Sequence, residues 1–207
     1  SNVRQIGSQE VPIIPMVAPI TKYAVEVMEP TEIYYHLERA WYEATTGRPG
    51  PVWLSIPLDV KGARIDEENL SGFILPEERH ENHQQSIQKC LELLRDSKKP
   101  LLLAGNGIKI AGGETALLRL LEQIPIPVQT TWKCIDLIGE DYPLYMGHPG
   151  IMGGRGDNLF LQQADLLISV GSRLDTSLTA FNEPNFAKNA KKVIVDIDPN
   201  ELKRMKM

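Results

Sequence analysis

Three runs in this 207-residue sequence hold residue types suited to phosphorylated ligands. The first is Leu101-Leu102-Leu103-Ala104-Gly105-Asn106-Gly107, with two glycines directly after an apolar stretch. Such a backbone can approach a phosphate or simply turn sharply, and both readings stay open, because the third glycine of a G-x-G-x-x-G fingerprint is replaced by Ile110. The second run, Gly147-His148-Pro149-Gly150-Ile151-Met152-Gly153-Gly154-Arg155-Gly156, holds more glycine than a plain connection needs, and Gly147, Gly150 and Gly153 could let a flat ligand lie close. His148 by itself reads as a surface or structural group. The third pairs Val170-Gly171-Ser172-Arg173-Leu174-Asp175 with Val193-Ile194-Val195-Asp196-Ile197-Asp198-Pro199, placing Arg173 and Asp196 just past two strands, where ligands of open α/β sheets bind and a carboxylate can hold ribose hydroxyls. Asp198 before Pro199 reads as a helix cap. No Ser/His/Asp, Cys/His or HExxH arrangement is present, nor a phosphate loop of the G-x-x-x-x-G-K-[ST] type, so the sequence carries no self-sufficient catalytic set and no metal site.

The elements that must position these runs follow from composition and periodicity. With 42% hydrophobic and 24% charged residues the chain is globular. A net charge of −5, with 22 Lys and Arg spread along the chain, speaks against a nucleic-acid partner. Cys90 and Cys134 fit no metal pattern and read as buried thiols of a reducing compartment. No run approaches the ~20 apolar residues of a membrane span, and the N-terminus lacks a signal peptide, so the protein is expected to be cytoplasmic with no membrane partner. The start, Ser1-Asn2-Val3-Arg4, reads as the scar of a cleaved tag, and the last residues as a helix cut short.

Prolines in Val11-Pro12-Ile13-Ile14-Pro15 argue for loop structure. Tyr23 to Met28 alternates, Thr31 is a candidate N-cap for a helix carrying Ile33, Leu37, Ala40, Trp41 and Ala44, and Val52 to Pro57 reads as a buried strand. Residues 60–80 lose periodicity and read as a linker. Beyond them the spacing predicts a helix at Gln84–Arg95, a strand at Pro100–Ala104, a helix from Gly113 to Gln123, and strands at Val128–Thr131, Asp165–Val170 and Lys192–Ile197. Alternation of strands and helices, with nearly continuous apolar strands, predicts an α/β fold: a doubly wound parallel sheet preceded by a partial α/β domain.

Several runs together resemble the thiamine-diphosphate-dependent enzymes of the acetolactate synthase type. They are Arg4-Gln5-Ile6-Gly7-Ser8-Gln9-Glu10, Ile20-Thr21-Lys22, Thr46 to Val52, Ser55-Ile56-Pro57-Leu58-Asp59-Val60, Ala164 to Arg173 and Val195 to Pro199, in order over almost the whole chain. The resemblance implies that residues 1–67 end a pyrimidine-binding domain, 68–81 form a linker and 82–207 form a central domain, Rossmann-like and of the DHS-like NAD/FAD-binding type. It implies a homodimer or homotetramer using thiamine diphosphate (ThDP) and magnesium (Mg2+), whose sites lie mostly outside these residues. The implied chemistry is decarboxylation or carboligation of a small-molecule 2-oxo acid. Gln9 matches the family's active-site glutamine, and the central domain is expected to hold FAD, ADP or nothing. These 207 residues alone are expected to be inactive.

Some positions depart from the family's pattern. Ser8 stands for the aromatic before the glutamine, Leu58 for the lysine of a P-K-D run, and Ser177 for the second arginine of G-x-R-F-D-D-R. Met152 replaces the histidine of G-M-L-G-M-H-G, while His148 takes a methionine position. A serine cannot hold a substrate carboxylate as an arginine does, so efficient acetolactate synthesis from two pyruvates is not expected. The competing reading is a non-catalytic nucleotide-binding or dimer-scaffold domain, with a sirtuin-like or electron-transfer-flavoprotein-like nucleotide domain as a third.

Overall fold

The structure, a computed structural model, describes residues 7, 10–77 and 82–205. It is an α/β protein of parallel sheets with flanking helices, in two compact units, Ser1–His80 and Glu81–Met207. Gln9 and Ser8 lie outside the described residues.

In the first unit α1 (Ile13–Val17) leads into β1 (Tyr23–Glu26), α2 (Ile33–Thr45), β2 (Val52–Ser55) and α3 (Leu58–Gly62), with β1 and β2 paired in parallel. Prolines do not prevent α1: Pro12 is its N-cap and Pro15 falls in the first turn, where an amide has no helical partner to lose. Thr31 does not cap α2, because Pro30 already starts a 3-10 turn through Glu32, which becomes the N-cap. Val27 and Ala40 are buried, and the segment expected to be a bare linker contributes to the packing. Phe73 meets Tyr35 edge to face and Tyr42 at a tilt, with ring centroids 5.7 and 5.4 Å away, and its amide donates to Glu38 Oε2 at 2.8 Å.

The second unit holds α4 (Gln84–Asp96), β3 (Pro100–Ala104), α5 (Gly107–Ile110), α6 (Glu114–Gln123), β4 (Val128–Thr130), α7 (Arg155–Gln162), β5 (Leu166–Val170), α8 (Thr176–Thr179), β6 (Lys191–Val195) and α9 (Pro199–Arg204). The four strands form one parallel sheet in the order β4-β3-β5-β6. Alternation along the strands divides the core in two. Leu102, Ala104, Val128, Leu166 and Ile168 pack on one face with Leu117 and Leu121 of α6 and Leu93 and Leu94 of α4, while Leu101, Leu103 and Leu167 pack on the other with Leu161 of α7 and Leu178 of α8. The chain passes from β3 outward to β4 and returns across β3 to β5, so the strand order reverses between β3 and β5. In sheets of this kind ligands bind at that switch point, outside the carboxyl ends of the strands. No helix among the described residues is long and apolar enough to cross a membrane.

Candidate functional site at the carboxyl edge of the sheet

Backbone hydrogen bonds draw the strand-end loops together. Gly105 N donates to Val170 O at 2.8 Å, Gly107 N to Gly171 O at 2.9 Å, and Gly171 N to Val195 O at 2.8 Å. On the other flank Thr130 N donates to Gly147 O at 3.1 Å. The candidate residues Gly105, Asn106, Gly107, Gly147, Arg173 and Asp196 thus share one edge.

What each glycine does there differs. A Cβ on Gly105 would lie 2.2 Å from Gly171 O and 2.2 Å from Ser172 Cα, so the loops after β3 and β5 can touch only without a side chain. Since the Gly105 and Gly107 amides are already donated, a phosphate gains no amide cradle from them, and what demands glycine at this pair is the close approach of the Gly171 backbone. The second loop is likewise closed on itself. The Asp157 carboxylate accepts from His148 N at 3.3 Å and Gly154 N at 3.2 Å, Asn158 bonds both the amide and the carbonyl of Gly150, and Gly153 N donates to Gly150 O. Gly150 has φ +108°, open to glycine and closed to most other residues. Ile151 N bonds Ser177 O at 3.0 Å, which seats this loop on α8.

Arg173 and Leu174 are both left-handed, with φ +57° and +51°. Arg173 Nε pairs with Glu201 Oε1 at 2.7 Å while its side chain is 57% exposed, and its Nη groups have no partner among the described residues. Next to them Asp175 caps α8 by accepting from Ser177 N and Leu178 N, and takes the Ser177 hydroxyl at 2.6 Å. Burial raises the Asp175 pKa, but these hydrogen bonds and the charge of Arg173 outweigh it and hold the carboxyl below the usual range. Asp196 Oδ1 accepts from Asp198 N at 2.9 Å, and Asp198 caps α9 as expected.

Sequence reasoning missed Gln129, Asp157, Asn158, Glu201 and Arg204. Gln129 is fully buried, and its Nε2 donates to Met146 O and Asp157 O at 2.7 and 2.8 Å. Its Oε1 is buried without a hydrogen-bond partner among the described residues. The available signals were a polar residue inside an apolar strand and Asp157 three residues after Gly154. Asp198-Pro199-Asn200-Glu201 has the spacing of a capping box, yet the Glu201 carboxylate binds Arg173 and Arg204.

The edge fits a nucleotide in part. It offers a half-free guanidinium for a phosphate, a strand-end carboxylate for ribose hydroxyls and an unsatisfied buried acceptor beside the second glycine loop, while the amides of Gly105, Gly107, Gly150, Gly153 and Gly154 are already taken. Among the described residues no group of three or more His, Cys, Asp or Glu could hold a metal ion.

Comparison with known proteins follows the same outline. Residues 87–207 match the family described as "Thiamine pyrophosphate enzyme, central domain". The chain is 36% identical over 202 residues to a "Probable acetolactate synthase large subunit" of Methanocaldococcus jannaschii, covering 94% of this chain and 34% of that protein. It is 36% identical over 200 residues to an "Acetolactate synthase large subunit" of Corynebacterium glutamicum (96% and 32%), and 31% identical over 198 residues to "Acetolactate synthase isozyme 2 large subunit" of Escherichia coli strain K12 (96% and 36%). The chain therefore spans about a third of the length of these relatives. The doubly wound sheet, its strand-end loops and this match place the chain in the thiamine pyrophosphate enzyme family, with residues 87–207 corresponding to the central domain.

Proposed function

We propose that this chain is part of a ThDP- and Mg2+-dependent enzyme that decarboxylates or ligates small 2-oxo acids. The observation that carries this reading is the reach of the similarity. Acetolactate synthase large subunits match 94% of the chain, through both compact units, whereas a free-standing nucleotide module would share only the doubly wound one. In this reading residues 1–67 close a pyrimidine-binding domain, 68–81 connect and 82–207 are the central domain. When bound, ThDP supplies a carbanion sink for a 2-oxo acid. Gln9 contributes a hydrogen bond near the substrate, and the anchors for Mg2+ and the diphosphate come from other parts of the protein.

In the same reading the strand-end edge holds FAD or ADP, with Arg173 on a phosphate and Asp196 on the ribose. The enzyme is a homodimer or homotetramer, for which exposed apolar side chains of α2 support an interface: Trp41 is 74% exposed and Leu37 51%. Ser177, whose hydroxyl is taken by Asp175, leaves no cation for an acceptor carboxylate at that position.

The test is turnover of the full-length protein on pyruvate and other 2-oxo acids. ThDP-dependent release of carbon dioxide is expected, with acetolactate formation from pyruvate roughly one to two powers of ten below that of an arginine-bearing synthase. Gln9→Ala should lower kcat or raise KM. No turnover of any 2-oxo acid, or Gln9→Ala kinetics equal to the unmodified protein, would contradict the proposal.

A further inference from the structure

The left-handed pair Arg173-Leu174 is costly for residues bearing a Cβ, and it persists only where surrounding groups hold it. Those groups come from α9. Arg204 Nη2 donates to both Arg173 O and Leu174 O at 3.3 Å, the two carbonyls of the strained pair. Its Nε donates to Glu201 Oε2 at 2.9 Å and its Nη1 to Glu183 Oε1 at 2.7 Å. The other Glu201 oxygen holds Arg173 Nε at 2.7 Å, and Glu201 is 7% exposed, so the carboxylate side of this bridge is shielded from water. One carboxylate thus ties the two arginines, and the second arginine ties the backbone that carries the first. The outcome is an Arg173 fixed at its Nε, with the side chain 57% exposed at the sheet edge.

We propose that Arg204 and Glu201 are positioning residues for this edge: they lock the Arg173-Leu174 turn and so aim the Arg173 guanidinium at the phosphate of a bound nucleotide. This rests on the nucleotide reading above. Neither residue touches the ligand; both act through Arg173. A guanidinium held in advance loses less freedom when it binds, so releasing the latch costs phosphate affinity while the rest of the ligand is untouched.

Calorimetry of the full chain with ADP and with adenosine separates the phosphate from the nucleoside. The unmodified protein should bind ADP more tightly than adenosine. Arg173→Met should remove that preference, by about tenfold or more. Arg204→Met should lower it in the same direction with adenosine binding unchanged, and adding Arg204→Met to Arg173→Met should cost nothing further, because both act on one interaction. A merely structural role would weaken both ligands alike. If Arg204→Met fails to fold, Glu201→Gln, nearly the same shape, carries the test with the same expected loss. A folded Arg204→Met or Glu201→Gln protein with an unchanged ADP-to-adenosine ratio overturns the positioning role alone. Absence of ADP binding by the unmodified protein overturns the nucleotide reading and this inference with it.

Discussion

Asp165 immediately precedes β5 and fastens the chain entering β3. Its carboxylate accepts from the Ser97 hydroxyl, from Lys98 N at 2.9 Å and from Lys99 N at 3.0 Å. The Ser97 hydrogen bond first, then the Lys98 amide, favour the ionised form and hold its pKa below the ordinary aspartate value. A depressed folded-state pKa gives stability that is present above the unfolded value, about 3.9, and lost as pH falls through the folded one. Thermal unfolding of Asp165→Asn should therefore occur below that of the unmodified protein at neutral pH, with the gap closing in strong acid. A gap that persists unchanged at low pH would show that ionisation of Asp165 is not its source. Legibility at this scale was uneven. That positions 105, 107 and 150 require glycine could be read from the sequence, but the reason could not: contact between Gly105 and Gly171 joins positions far apart in the chain. Glu201 and Arg204 looked like ordinary residues of a short helix, since nothing local marks a side chain that serves another loop.

At the scale of elements, α2 shows how a short segment completes a helix face. Phe73 sits between Tyr35 and Tyr42, and Tyr23 OH meets His36 Nδ1 at 2.6 Å beneath the Arg39 guanidinium. Phe73→Ala should destabilise the first unit by about 1–3 kcal/mol, below the cost for a fully buried ring because Phe73 is half-buried. Urea unfolding followed by Trp41 and Trp53 fluorescence in a Trp132→Phe background checks this, and an unshifted midpoint would contradict the packing role. Phe73 opens the short apolar run Phe73-Ile74-Leu75 of an aperiodic segment, where no period marks which side chain is the anchor. The strands of the second unit were legible because a strand buried on both faces is an unbroken apolar run, and Pro100–Ala104 agrees at both ends. The helix Arg155–Gln162 was not, because Gly153, Gly154 and Gly156 made its first turn look like more loop. Residues 144–147 were missed too: they run along β4 through bonds between Val128 N and Leu144 O and between Met146 N and Val128 O, in a stretch too short and proline-marked to read as a strand.

At the scale of the molecule the two units differ in completeness. The four-stranded sheet has helices on both faces and a core on each, as parallel sheets require. The two-stranded parallel pair has no fully buried strand residue, and pairs of that size are marginal by themselves. In the proposed enzyme the first unit belongs to a larger domain, and ThDP is held by residues other than those described. The direct measurement is calorimetry of ThDP with Mg2+, carried out on the 207-residue chain and on the full-length protein side by side. The account predicts Mg2+-dependent binding by the full-length protein and none by the 207 residues alone, since among the described residues no group of three or more His, Cys, Asp or Glu could hold the Mg2+ that carries the diphosphate. Micromolar ThDP binding by the 207-residue chain, or no binding by the full-length protein, would contradict it.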